Sequence, residues 1–384
     1  MIIMIKVLFH LNQLGYGGTE KAMLTFIKTL DKKLFEPSLF FNTSVTTLEH
    51  KKLQLLKNLS TKYERKYNEK YVHGFARKHE FEEAVSGRLF LGCGLDAFAR
   101  CVNSCNPSIV HFNRGLSVDF YTENIEKLPS GIKIVDHNIF ATMPSAGYLS
   151  AVDHMFFVSQ WCLDKSPWAD LNKSSFIYNP VADISNVRVD YDIRRELRIP
   201  TDSILLGRLS RPNLDDGEFI LEVLLRVLVK FPQVHFVCIG ASNAFIERSH
   251  ELRLGNVHCL LPTTDESRIN QFLRGLDIFL HYRREGETFG LNIAEAMSRG
   301  IPIVSHRSEF DNAQIELITK DRLSGIVCDK LSVDAYVAAV EKLIVDSSLR
   351  LELGQNARQT AEKHFCAGEL TRTLESVYMR VLRK

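Results

Sequence analysis

Residues 277–306 read DIFLHYRREGETFGLNIAEAMSRGIPIVSH. The opening DIFLHY is a strand-sized apolar run, NIAEAMSRG has helical spacing and closes on glycine, and PIVSH is strand-sized again. A strand, a polar loop, a helix and a second strand in direct succession form the unit that joins parallel strands. Gly286 and Gly290 interrupt any continuous helix between Glu287 and Glu295. Glu287 is therefore expected in the loop after the first strand. Glu295 is expected in the first turns of a helix that begins near Leu291 or Asn292. An ordinary strand–helix–strand crossover requires neither acid.

Outward from this stretch the same rhythm runs along the chain. On its amino-terminal side lie strand SILLGRLS, helix EFILEVLLRVLVKF, strand VHFVCIG and helix SRINQFLRGL. The first half has its own series. KVLFH is followed by the helical GGTEKAMLTFIKTLDK, and then come PSIVHFN, IKIVDHN, HMFFVSQ and SSFIYNP. The carboxyl-terminal end is helical. Two alternating series imply an α/β chain with two parallel-sheet, Rossmann-like domains. The proline-containing, charged and aperiodic stretch NPVADISNVRVDYDIRRELRIPTD separates them, and the breaks are drawn as 1–184, 185–365 and a final helix at 366–384.

Composition narrows the function classes. The chain has 384 residues and a formal net charge of +2, which argues against the dense basic surface that nucleic-acid binding requires. MIIMIKVLFHLNQ lacks a basic start, and Lys6 interrupts its apolar run, so it reads as a buried first strand rather than a leader. No stretch reaches the length of a membrane span. Eight cysteines are scattered without CxxC or Cys/His zinc spacing, as expected of reduced thiols in a cytoplasmic protein. One segment departs from the rhythm. Lys51–Lys78 carries nine Lys or Arg against two Glu, with Tyr63, Tyr67, Tyr71 and Phe75 four residues apart. It reads either as a solvated helix or as a basic face for peripheral contact with an anionic membrane or acidic acceptor.

Ligands of open parallel sheets bind beyond the carboxyl ends of the strands, so the polar residues there are the candidates. Gly15, Gly17 and Gly18 open the first helix and allow close backbone approach to an anion or a sugar, or simply make a tight turn. The loop is neither a P-loop nor G-x-G-x-x-G. Arg208 and Arg211 follow a strand, and two guanidinium forks there suit a diphosphate; the alternative is a pair of solvated loop arginines. His137 ends another apolar run and reads as a donor to a sugar or phosphoryl oxygen, or as a structural histidine. Around Glu287, the helix start beyond Phe289–Gly290 suits a diphosphate, and two carboxylates suit the diols of a hexose and a ribose. The other reading of the pair is a dipole-complementing acid plus a surface glutamate.

With these residues in place, the chain resembles glycosyltransferase family 4 enzymes of the GT-B type, whose strongest mark appears here as ETFGLNIAEAMSRGIPIV. GYGGTEKAM, IKIVDHNIF, LLGRLSRP and LSGIVCD resemble further landmarks in the same order, and the likeness thins only over residues 45–100. The resemblance implies a GT-B fold with two sheets facing across a central cleft, and a last helix, 366–384, that crosses back onto the first domain. It implies a retaining, metal-independent hexosyltransferase that uses a nucleotide diphosphate sugar (a UDP- or GDP-sugar) as substrate, with no further cofactor. The acceptor would be a hydroxyl of a glycan or glycolipid. By the resemblance, Glu287, His137 and Arg208 are the catalytic residues. Gly17, Gly18, Arg208, Arg211, Glu287, Thr288, Phe289, Gly290, Leu291 and Glu295 bind the donor. Asn213 stands where the family usually has lysine, and EFDNAQIE replaces the usual glycine pair of the next loop while keeping Glu316 aligned. No Asp-x-Asp triplet lies in a suitable loop. The rivals are a sugar-nucleotide-binding protein without transfer, an epimerase or phosphorylase on the same architecture, and a dinucleotide-dependent oxidoreductase. The last is disfavoured because no G-x-G-x-x-G follows a strand.

Overall fold

A computed structural model of the chain describes residues 4–43, 73–114, 125, 128–183, 192–211, 217–329 and 332–383. Most of the expected basic face, residues 51–72, lies outside these, as does Asn213. The chain forms two compact units: Met1–Pro180 together with Ala367–Lys384, and Val181–Cys366.

The first unit is built on seven parallel strands: β1 (Ile5–Leu11), β2 (Phe35–Asn42), β3 (Leu89–Gly92), β4 (Ile109–Arg114), β5 (Lys133–Asn138), β6 (His154–Phe157) and β7 (Ser174–Phe176). Their order is β3-β2-β1-β4-β5-β6-β7. Its helices include α1 (Gly18–Thr29), α2 (Lys78–Ala84), α3 (Gly94–Cys105), α4 (Ala146–Ala151) and α5 (Gln160–Asp164). β1 is buried almost throughout, which explains why its sequence is an apolar run rather than an alternation. Phe9, Phe26, Ile27, Phe35, Leu39 and Phe156 sit in one core beneath α1.

The second unit holds six parallel strands: β8 (Leu205–Leu209), β9 (His235–Ile239), β10 (Val257–Leu260), β11 (Ile278–Leu280), β12 (Ile303–His306) and β13 (Gly325–Cys328). Their order is β10-β9-β8-β11-β12-β13. Its helices are α6 (Ile193–Glu196), α7 (Gly217–Lys230), α8 (Asn243–Glu251), α9 (Glu266–Arg274), α10 (Leu291–Ser298), α11 (Ala313–Thr319), α12 (Val333–Val345) and α13 (Ser347–His364). Val181, where the chain enters this unit, bridges Cys366, where it leaves, and its N–H donates to the Phe365 carbonyl at 2.9 Å.

The last helix, α14 (Ala367–Leu382), belongs to the first unit. Leu374, Val377, Tyr378 and Val381 complete that unit's core, each apolar side chain contributing about 1.5–3 kcal/mol of burial. Glu375 accepts the Asp31 N–H at 2.7 Å and so fixes the register of α14. The architecture is thus α/β, with two Rossmann-like parallel-sheet domains.

Candidate functional site

In each sheet the chain reverses its direction of growth beside the first strand. In the second unit that switch lies between β8 and β11, where a crevice opens beyond the carboxyl ends of the strands. The conspicuous residues of residues 277–306 converge there. The Asn292 side chain at the start of α10 donates to the Leu209 carbonyl at the end of β8, 3.1 Å away. This bond draws the arginine loop and the glutamate loop together.

Glu287 is the centre of the arrangement. Its carboxylate is a quarter exposed and lies 3.5 Å from Nε2 of the buried His281. Burial by itself would push the Glu287 pKa up. The hydrogen bond and charge of His281, with Arg283 and Arg211 nearby, outweigh that and hold it below the usual glutamate range. Ser305 Oγ lies 2.9 Å from the other ring nitrogen of His281. With the Ser305 hydroxyl donating to Nδ1, the proton of the ring sits on Nε2, facing Glu287.

The loop backbone is fixed from the neighbouring loop. The Glu287 N–H donates to Gln314 Oε1 at 3.0 Å, and the Glu287 carbonyl accepts from the Ala313 N–H at 2.9 Å. Ser308 Oγ donates to the Arg284 carbonyl at 3.0 Å, and the Asp311 N–H to the Glu285 carbonyl at 2.9 Å. Gly286 has φ +76°, and a Cβ there would lie 1.6 Å from the Asp311 carbonyl oxygen. Gly290 enters α10 in the left-handed region, at φ +94°. The first N–H groups of a helix have no intrahelical acceptor, so this end of α10 offers donors and positive potential.

Thr288, Phe289 and Leu291 are all buried. Phe289 packs edge-on against Phe365, with ring centroids 5.7 Å apart, and anchors the loop in the unit's core. Glu295 is buried within α10, and its carbonyl accepts from Arg299 and Ser298. Arg208, at the end of β8, is only 7% exposed. With Ser210, Cys238 and Ser242 it lines a small cavity at the carboxyl edge of β8 and β9. Its charge helps to depress the pKa of His306, after burial, which acts most strongly. His306 is held as the neutral Nδ1–H form, with Nδ1 donating to the Arg307 carbonyl at 3.0 Å and Nε2 accepting from the Arg283 N–H at 3.3 Å.

The remaining expected residues lie in the first unit. Gly17 is the N-cap of α1, and the space a side chain would take is filled by the Glu20 carboxylate, 1.9 Å from an ideal Cβ. Gly18 is the first residue of that helix. His137, read as a donor to a sugar or phosphoryl oxygen or as a structural histidine, lies on β5. The ring points into the core, 2% exposed, stacked at 5.7 Å on His111 and flanked by Phe26 and Phe156. Neither ring nitrogen has a hydrogen-bond partner, and burial lowers the pKa to about 4. The strand alternation decides this. Asp136 and Asn138 take one face of β5, and His137 takes the other, beneath α1.

Sequence reasoning passed over His281, Ser305, Gln314 and Tyr336. The Tyr336 hydroxyl reaches the carbonyl oxygens of His281 and Val304 at 2.9 Å each. The one signal available was a histidine at the end of each of two adjacent strands, His281 and His306.

Residues 192–360 match the family described as Glycosyl transferases group 1. The chain is 28% identical over 209 residues to a D-inositol 3-phosphate glycosyltransferase of Corynebacterium jeikeium (strain K411), covering 51% of this chain and 46% of that protein. It is 28% identical over 146 residues to the sulfoquinovosyl transferase SQD2 of Arabidopsis thaliana, covering 38% of this chain and 28% of that one. The chain thus spans half or less of the length of these two relatives. Among solved structures, Anabaena Alr3699/HepE in complex with UDP-glucose superposes with a TM-score of 0.69 at 16% identity, over 98% of this chain and 100% of that one. A glycosyltransferase from Rickettsia africae ESF-5 gives 0.71 at 14% identity, over 99% of both chains. These likenesses show the fold. The chain therefore has the GT-B fold class of two Rossmann-like domains, and its second unit is similar in sequence to the glycosyl transferases of group 1.

Proposed function

We propose that the protein is a glycosyltransferase that moves a hexose from a nucleotide diphosphate donor to a hydroxyl of a glycan or lipid, with retention of anomeric configuration. The observation that carries this reading is the ionised Glu287, braced by His281 and latched through its backbone. It stands at the switch point of the second sheet beside Arg211 and the start of α10. A rigid carboxylate there accepts from the diol of the donor sugar. Glu295, on the helix behind it, is assigned to the ribose.

As the glycosidic bond breaks, the sugar becomes oxocarbenium-like and negative charge grows on the diphosphate. Stabilising that charge is the main catalytic task. We assign it to Arg208, Arg211 and the first N–H groups of α10, with no metal in the assignment. The departing phosphate oxygen takes the proton of the incoming hydroxyl on the same face. Glu287 positions the donor in this scheme and does not act as a base. His137 is assigned to the core. UDP-glucose, present in the complex of the Anabaena neighbour, is the first donor to test.

A thermal-shift panel of UDP, GDP and their sugar conjugates tests donor binding, because a ligand of the folded state raises its melting point. Melting unchanged by every nucleotide would end the proposal. A second reading, donor binding without transfer, is favoured by Asn213 in place of the family lysine. A shift with a donor, accompanied by neither transfer nor donor hydrolysis, would select it.

A further inference from the structure

A second chemical grouping lies in the first unit and takes no part in the proposed reaction. Cys101 and Cys105 stand one turn apart on α3, with their sulfur atoms 3.9 Å from each other. Cys101 is buried and Cys105 is half-buried. α3 packs on β1, β2 and β3. Ser38 of β2, Lys6 of β1 and Arg88, just before β3, each favour the ionised form of Cys105.

We propose that Cys105 is a peroxide-reactive thiol and that Cys101 is its resolving partner, the two closing to a disulfide at the end of α3. Three features support this. First, the sulfur has the environment of a reactive cysteine: cations, a hydroxyl donor and partial access to solvent. The hydrogen bond from Cys101 favours the thiolate most strongly. Burial opposes it, and Ser38, Lys6 and Arg88 add their support, so the Cys105 pKa falls to about 7. The carbonyl end of α3 disfavours an anion there, and the two cations offset that. Cys101 is driven upward by the bond it gives to Cys105 and by burial, so it keeps its proton.

Second, the partner is already in contact. A disulfide needs the sulfurs about 2 Å apart, so they must close roughly half the present gap. Third, the backbone can yield at this place. Cys105 is the last residue of α3, and Asn106 leaves it in the left-handed region at φ +46°. Opening a final turn breaks few hydrogen bonds.

The step balances. The Cys105 thiolate attacks one peroxide oxygen and the O–O bond breaks. Hydroxide leaves and takes up a proton to form water, and Cys105 becomes a sulfenic acid. The Cys101 sulfur then attacks the Cys105 sulfur, and the displaced hydroxide leaves as water with the Cys101 proton. Two thiols lose two electrons, and one peroxide becomes two waters.

The test uses the intact chain and its own exposed thiols as controls. Cys93 and Cys366 are more exposed than Cys105, so reactivity set by access alone would mark them first. The protein is treated with limiting hydrogen peroxide, quenched with iodoacetamide and digested with trypsin. Both reactive cysteines fall in one tryptic peptide, Cys101–Arg114. That peptide is expected to lose two hydrogens before Cys93 or Cys366 is oxidised. At neutral pH, Cys105 is expected to alkylate about tenfold faster than Cys366. In Cys101→Ser the sulfenic acid at Cys105 should persist and be trapped by dimedone. Arg88→Gln should slow alkylation of Cys105. Earlier oxidation of Cys93 or Cys366, or a Cys101–Arg114 peptide that stays fully alkylated, would overturn the assignment without recourse to any variant.

Discussion

Glu287 and His281 form a pair whose parts can be separated by substitution. Glu287→Ala removes the proposed donor-sugar anchor and leaves a quarter-exposed position, so the fold should persist. Transfer should fall by about 10²–10³-fold, the scale seen when one preorganised group is lost at a reacting centre. Near-normal turnover with an unchanged melting curve would refute the site. His281→Asn removes one of the groups that hold the Glu287 pKa down. A depressed carboxylate stays ionised until the pH falls through its lowered value, and without His281 that value rises. The acid limb of the rate profile should move to higher pH, whereas a purely structural histidine would lower the rate at every pH alike. Arg208→Ala should weaken nucleoside-diphosphate binding by about tenfold or more, the loss of a charge-assisted contact. An unchanged dissociation constant by calorimetry would remove the arginine from the phosphate. The places of Glu287, in the loop after β11, and of Arg208, at the end of β8, were legible from the sequence because apolar runs end there. His281 was not, because its partner Ser305 is contributed by the neighbouring strand.

At the scale of elements, two junctions carry the load. The loop after β11 is tied to the loop after β12 through Gly286, where a methyl group would collide with the Asp311 carbonyl. Gly286→Ala combines that clash with a left-handed backbone, at a cost of about 1–3 kcal/mol. Because the strain falls beside Glu287, transfer should fall more than melting temperature does; measuring both on one preparation checks this. The other junction is α14 against α1. Leu374 is fully buried there, and Leu374→Ala should cost about 2–5 kcal/mol in denaturant unfolding. A loss below about 1 kcal/mol would mean that α14 is not integral to the first unit's core. The helix itself was readable from its periodicity. Its partner, the first domain, was expected only from the family resemblance, since an amphipathic pattern shows that a face is buried and leaves open which surface covers it.

For the whole molecule, the first unit carries an acid sensitivity built from buried imidazoles. Burial lowers the pKa of His10 to about 3 and of His137 to about 4, and holds His111 well below the ordinary value, with His137 and His154 adding to the last effect. In the unfolded chain each titrates near 6.5. Between about pH 6.5 and 4 the unfolded state therefore binds more protons, and stability falls as pH falls. His137 alone accounts for about 3 kcal/mol at pH 4. The melting temperature should drop across that window, and His137→Leu should flatten the slope. A flat profile from pH 6.5 to 4 would show that these rings are not enclosed as the structure has them.

The sequence by itself determined the alternation of strands and helices, the two-sheet α/β class, and the placing of Glu287 in a loop and Glu295 on a helix. These follow from local periodicity and from glycine, which act over a few residues. Only the tertiary structure decided which way each side chain turns and what it meets. His137 went to the core because the pleat of β5 gives its face to α1. Arg211 came within reach of Glu287 because the sheet order sets β8 beside β11. Cys105 acquired Lys6, Ser38 and Arg88 because three strands, far apart in the chain, meet under α3. Such meetings depend on strand order and register, which no short stretch of sequence encodes.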